Sequence, residues 1–153
     1  MTKTFFLSIL LVLTVKAADP FEGKWILNIQ KSSYPAGTLP KQMVIEMTSL
    51  GDGIRYRSET VLASGKTSTT EYTADYNGKQ VIVSGSGGML APVSLKRIAP
   101  NIVEAEYMRG LTVVATSRRS VSNDGKLLTV TTKSKNAAGK SVTNLGVYQK
   151  DAM

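Results

Sequence analysis

The chain of 153 residues contains no histidine and no cysteine. The first absence removes the usual general base of neutral-pH catalysis and the commonest metal-binding side chain. The second removes disulfides, thiolate nucleophiles and any lipid-bearing N-terminal cysteine. Together they exclude Ser-His-Asp and Cys-His constellations, and zinc or haem sites of the ordinary kinds. The 19 basic residues outnumber the 11 acidic ones, giving a formal charge of +8, but they are scattered along the chain. No run of about five or six basic residues forms an interaction tail. The excess therefore reads as a solvated surface, with weak attraction to anionic envelope surfaces as the lesser alternative.

A leader stands at the start. Lys3 supplies a basic head, Phe5 to Val15 an almost unbroken apolar run, and Val15-Lys16-Ala17 the small residues a signal peptidase inspects. The run is about 11 residues, short of the roughly 20 that a membrane-spanning helix needs. The expectation is a cleavable signal peptide over residues 1–17 and a single β domain over residues 18–153, the alternative being an uncleaved anchor. Such a domain is large enough for one hydrophobic core. Without disulfides, its export fits a periplasm better than a disulfide-rich secretory route, so a periplasmic or secreted location is expected.

After the leader, short β-branched and aromatic runs replace any helical periodicity. They are Trp25–Ile29, Gln42–Thr48, Ile54–Leu62, Thr69–Asp75, Gln80–Ser84, Val93–Ile98, Ile102–Met108, Leu111–Val121, Leu127–Ser134 and Ser141–Lys150. Turn residues separate them: Gly51-Asp52-Gly53, Ser64-Gly65-Lys66, Asn77-Gly78, Arg109-Gly110, Asp124-Gly125 and Ala138-Gly139. Asn-Gly and Asp-Gly supply the positive φ of tight hairpins, which makes neighbouring runs antiparallel partners. The fold class is all-β. A meander of about eight to ten such strands closes into an up-and-down barrel to remove its edges, whereas a sandwich would need longer crossing connections.

Alternation assigns the faces. Ile54, Tyr56, Ser58, Thr60 and Leu62 share one face, against Arg55, Arg57 and Glu59. Tyr72, Ala74 and Tyr76 share the next, and a loop at Ser64-Gly65-Lys66 pairs Tyr56 with Ala74, Ile54 with Tyr76 and Arg55 with Asp75. Val103, Ala105 and Tyr107 oppose the polar Glu104 and Glu106. A loop at Met108-Arg109-Gly110 pairs Tyr107 with Leu111, Ala105 with Val113 and Val103 with Ala115. The inward face then continues through Ser117, Arg119 and Val121, and the Asp124-Gly125 turn pairs Val121 with Leu128 and Arg119 with Val130. Trp25, Leu27 and Ile29 share a face in the first run, and Met43 and Ile45 belong to the inward set of the second. Adjacent Arg118 and Arg119 cannot both point outward. Arg119 is the inward one, either holding an anionic head group with Tyr56 or Tyr107 as hydroxyl donors, or reaching solvent at the rim.

Gly23-Lys24-Trp25 at the first strand and Val147-Tyr148-Gln149-Lys150 at the last resemble the lipocalins and the wider calycin superfamily. With Lys31-Ser32 and Asp124-Gly125-Lys126, most of the chain after the leader resembles small secreted bacterial lipocalin-like proteins. The resemblance implies a barrel with a hydrophobic ligand, and gives Gly23, Trp25 and Lys150 a structural role in closing one end. Lys150 stands where lipocalins normally carry arginine, and the disulfide common in that family is missing.

No motif for catalysis, metal or cofactor emerges. Glu104 and Glu106 are a close carboxylate pair on a solvent face, and Ser84-Gly85-Ser86-Gly87-Gly88 lacks the ending of a phosphate loop and reads as an inter-strand loop at a barrel mouth. Tyr56 points away from Arg55 and Arg57, which argues against nucleic-acid stacking. Two functions stand. One is an exported, non-enzymatic barrel binding a small hydrophobic or amphiphilic, even anionic, molecule through Tyr56, Tyr72, Tyr107, Arg119, Met43 and Ile45. The other is a packed barrel without a cavity, acting as an envelope interaction or structural module. Neither involves stable membrane insertion after cleavage. N-terminal sequencing of protein from the envelope fraction should begin at Ala18; an intact Met1 in membrane-embedded material would show an anchor instead.

Overall fold

Alternating apolar and polar residues, punctuated by glycine turns, fold into one antiparallel sheet in the computed structural model, which describes residues 17–152. The leader expected over residues 1–17 lies, Ala17 apart, outside the described residues. The strands are β1 (Gly23–Leu27), β2 (Gln42–Ser49), β3 (Gly53–Val61), β4 (Thr67–Asp75), β5 (Asn77–Val81), β6 (Ser84–Ser86), β7 (Val93–Ala99), β8 (Ile102–Arg109), β9 (Thr112–Val121), β10 (Leu127–Lys135) and β11 (Ser141–Lys150). Their order is β5-β7-β8-β9-β10-β11-β1-β2-β3-β4-β6. The sheet curls until β4 approaches β5 and β7, yet among the described residues no ladder joins them. The fold is the expected all-β antiparallel barrel, left with a seam.

The seam corrects the reading of Asn77-Gly78 as a hairpin. Tyr76, the residue after β4, bonds its amide to the Asp52 carbonyl, and its ring lies 4.0 Å from the Arg97 guanidinium on β7. The chain thus leaves the β4 ladder and pairs β5 with β7 instead. The glycine-rich segment is not only a loop: Ser84–Ser86 pairs with Thr69–Glu71, making eleven strands rather than eight to ten. Gly85, at φ 145°, permits this approach, because a Cβ there would collide with the Thr69 carbonyl oxygen.

Two hairpins are offset from the sequence-based pairing by even numbers of residues, so the faces survive. Tyr56 pairs with Tyr72, Ile54 with Ala74 and Arg55 with Thr73. The turn is Ala63-Ser64-Gly65, with Gly65 at φ 87° as the residue in left-handed conformation. At the β8–β9 hairpin a bulge after Tyr107 shifts the ladder, pairing Tyr107 with Ala115, Ala105 with Ser117 and Val103 with Arg119. Leu111 and Val113, expected inside, are exposed. Pairing across Asp124-Gly125 is as expected, Leu128 with Val121 and Val130 with Arg119. Ile29 leaves the Trp25–Leu27 face: Asn28 caps a short 3-10 turn, Ile29–Lys31, by accepting from the Lys31 amide, and Ile29 is exposed.

Successive connections alternate between two ends. One end is closed by Phe21 and Trp25, both fully buried, with Trp25 Nε1 donating to the Phe21 carbonyl at 2.9 Å. Lys150 pairs with Trp25 in the ladder and sets Nζ 5.1 Å from its ring. Gly23 makes room, since a Cβ there would sit 2.5 Å from Lys150 Cε. Arg97 completes the seal: it pairs with Asp19 at 2.5 Å and lies 5.5 Å from the Phe21 ring. Trp25→Ala should lower stability by about 3–5 kcal/mol, the usual cost of an aromatic core deletion, measured by denaturant unfolding; an unchanged midpoint would put Trp25 outside the core.

Candidate functional site

The inward faces converge on Arg119, which β9 delivers two residues before Val121 by simple alternation. Its side chain is 5% exposed, so the rim alternative fails. Nη1 donates to the Tyr72 hydroxyl at 2.7 Å and Nη2 to the Tyr107 hydroxyl at 3.0 Å. Tyr56 does not hydrogen-bond to the guanidinium. It stacks on Tyr72 with ring centroids 4.8 Å apart and sets its ring 5.2 Å from the guanidinium carbon. Among the described residues no carboxylate pairs with Arg119; the ion pairs are Lys24–Asp151, Arg57–Glu59, Arg97–Asp19 and Arg118–Glu104. Burial works against its charge, while the oxygens of Tyr72, Tyr107 and Tyr56 favour it, and the balance leaves it a cation.

Beside the guanidinium lies a chamber of about 130 Å³. Of the six expected site residues, Met43, Ile45, Tyr56, Tyr107 and Arg119 line it, and Tyr72 stands behind on the guanidinium. Tyr34, Thr132, Asn144 and Tyr148 line it as well and were not singled out from the sequence. Tyr34 sits in an irregular segment fastened by one bridge, Ser33 to Leu145, and has no periodic signal. Tyr148 was traceable: carrying the register past Gly139 sets it opposite Leu128. Gly146 then accommodates its ring, which a Cβ would meet at 2.7 Å. The Tyr148 hydroxyl donates to Met43 Sδ at 3.2 Å.

The chemistry is that of binding. Because Tyr72 and Tyr107 accept from Arg119, their own hydroxyl protons remain free to be donated. Ser117, two residues from Arg119 on the same face, has a buried Oγ with no hydrogen-bond partner among the described residues. The chamber itself, whose lining does not include Ser117, offers a cation and free phenol protons against apolar walls. Elsewhere, a hollow of about 610 Å³ on the outer face of β7–β10 is walled by exposed Lys96, Glu104, Glu106 and Arg118, with Arg118 on Glu104 at 2.8 Å. Charged and hydroxyl side chains dominate its rim, and the Glu104–Glu106 pair faces solvent as expected.

Comparison with solved structures places this architecture. The ileal bile acid-binding protein of zebrafish, crystallised with cholic acid, matches with a TM-score of 0.58 at 14% identity, over 86% of this chain and 99% of that one. The chain shares that protein's β-barrel fold. No protein-family model and no curated protein matches the sequence. The identity is low enough that the likeness speaks for fold alone.

Burial lifts the phenols of Tyr34, Tyr56, Tyr72 and Tyr148 above the ordinary value, and that of Tyr76 to about 12. A raised folded-state value favours the fold below the unfolded value near pH 10, and that contribution is lost as pH rises through the folded one. Stability should hold to about pH 10 and fall toward pH 12. Absorbance at the tyrosinate band should show these five phenols ionising with unfolding; early ionisation in the native state would mean an open interior.

Proposed function

We propose that the protein is an exported, non-enzymatic binder of a small amphiphilic molecule, its anionic group on Arg119 and its apolar part among Met43, Ile45, Leu128 and Val130. One observation carries this reading: a buried guanidinium faces a chamber without a carboxylate partner. Leaving a buried charge without a counter-charge costs several kcal/mol, so the arrangement suits an anion brought from outside. Cholic acid in the similarly folded zebrafish protein is consistent with an amphiphilic guest. The leader supports a periplasmic or secreted setting.

Size narrows the ligand. Pockets that hold drug-sized molecules have volumes of about 300–1,000 Å³, whereas this chamber of about 130 Å³ has room for a carboxylate head and a few carbons. A longer tail extends past Tyr34, Thr132 and Asn144 or displaces the flexible Met43 and Met47 side chains. A fluorescent fatty-acid probe tests the assignment. Arg119→Met should weaken binding by about 1.5–3 kcal/mol, the worth of a charged hydrogen bond, while Arg118→Met, outside on Glu104, should change little. Equal losses from both would remove Arg119 from the site. No binding at all would favour the packed barrel acting through its surface, the reading that the small chamber supports.

A further inference from the structure

Because the strands run up and down, alternate connections gather at each end. The mouth, opposite Trp25, carries residues 28–41, 62–66, 82–92, 110–111 and 136–140. These segments contain four lysines, Lys31, Lys41, Lys66 and Lys140, all exposed, and no acidic residue. Arg109 and Lys135, the last residues of β8 and β10, add two more exposed cations. The closed end is the reverse: its connections hold Asp19, Glu22, Asp52, Asp124 and Asp151 against Lys126 alone.

The mouth also presents apolar side chains to solvent. Leu111, at the tip of the β8–β9 hairpin, is 99% exposed, and Ile82, just past β5, is 85% exposed. Their strands flank β7 at this end: Val81 pairs with Val93, Val93 with Tyr107, and the Met108 amide bonds to the Pro92 carbonyl. The segment between them brings Met89 and Leu90, and the hairpin brings Val113, all exposed. This corner borders the seam and lies at the end toward which Tyr34, Thr132 and Asn144 line the chamber.

We propose that the mouth docks on an anionic lipid bilayer, Leu111 and Ile82 entering the headgroup layer while the lysines and Arg109 meet lipid phosphates. Apolar residues on protruding tips, ringed by cations, fit an interface of this kind. A lone hairpin tip makes no groove for a protein segment, and the absence of acid around it selects an anionic surface. Contact is peripheral, because the outer strand faces carry Arg55, Arg57, Glu59, Glu104, Glu106 and Arg118, which do not suit a lipid-facing wall. The inference concerns the rim and stands whether or not the chamber binds an anion.

Sedimentation with vesicles tests it without any interior ligand. The purified protein should bind phosphatidylcholine vesicles containing phosphatidylglycerol at low salt, bind phosphatidylcholine alone weakly, and detach at high salt. Leu111→Asp or Ile82→Asp should weaken partitioning about tenfold, as loss of one buried aliphatic side chain implies. Lys66→Glu with Lys140→Glu should weaken it further, while Leu50→Asp and Lys126→Glu at the closed end should leave it unchanged. The variants share the parent's N-terminus, so any leader contribution cancels. Equal losses from closed-end and mouth variants, or no dependence on phosphatidylglycerol, would overturn the proposal. So would self-association that disappears in Leu111→Asp while vesicles are left unbound, which would assign the tip to a second copy of the chain.

Discussion

The two ends of this sheet are joined by cations and tyrosines rather than by a ladder. Tyr72 on β4 accepts from Arg119 on β9 through the interior, and Tyr76 at the end of β4 lies on Arg97 of β7. The second contact crosses the seam that backbone hydrogen bonding leaves open, and the first braces β4 against the opposite wall. Asp19 anchors the second by pairing with Arg97, and its carboxylate also accepts from the Phe21 amide at 3.0 Å. The closed end is thus sealed by a charge pair and stacked rings, where a continuous barrel would use strand pairing. A ladder distributes its strength over many backbone bonds; here closure rests on a few side chains, which makes the seam the weakest line of the wall.

That economy sets stability against binding at one residue. Arg119 helps to hold the barrel shut, yet it is a buried charge supported only by neutral phenols and ring faces. Neutral partners lower the cost of burial without cancelling the charge. A guest anion would supply the missing counter-charge while leaving the Arg119–tyrosine bonds intact, since the hydroxyls accept from the guanidinium and still have protons to give. Closing the seam and holding an anion are therefore compatible demands on Arg119. The unpartnered Ser117 hydroxyl on the same strand face has the same character, polar capacity that the fold itself does not use.

Faces were legible in the sequence, and partners less so. Alternation alone put Tyr56, Tyr72, Tyr107 and Arg119 inside, because moving a strand by two residues preserves which side each residue takes. Pairing depended on where glycine sits within a turn: Gly65 is the last turn residue, not the middle one, which displaced the β3–β4 register by two. In the β8–β9 hairpin a two-residue turn at Gly110-Leu111 shifted the pairing by three and the bulge after Tyr107, which carries no signal in composition, by one more, leaving Leu111 and Val113 in solvent. The seam was illegible for a different reason. Asn77-Gly78 has good hairpin chemistry, and what overrides it is Tyr76 being held by Asp52 and Arg97, residues 24 and 21 positions away along the chain.

Charge polarity shows how topology turns a local pattern into a global one. In a chain that runs up and down, consecutive connections fall at opposite ends, so an asymmetry between the ends is written along the sequence as alternation. Asp52 precedes β3 and Lys66 follows it; Asp124 precedes β10 and Lys140 follows it. Read linearly, these residues look like scattered charges of both signs within a net excess of +8. Folded, the same residues divide into a lysine-bearing rim and an acid-bearing base. The asymmetry does not come from strand patterning, whose outer faces mix both signs, as Arg57 on Glu59 and Arg118 on Glu104 show. It comes from the connections, which tolerate substitution because they lie outside the core. The wall and the rim can thus answer to separate demands, one set by closure around Arg119 and the other by the surface that the mouth meets.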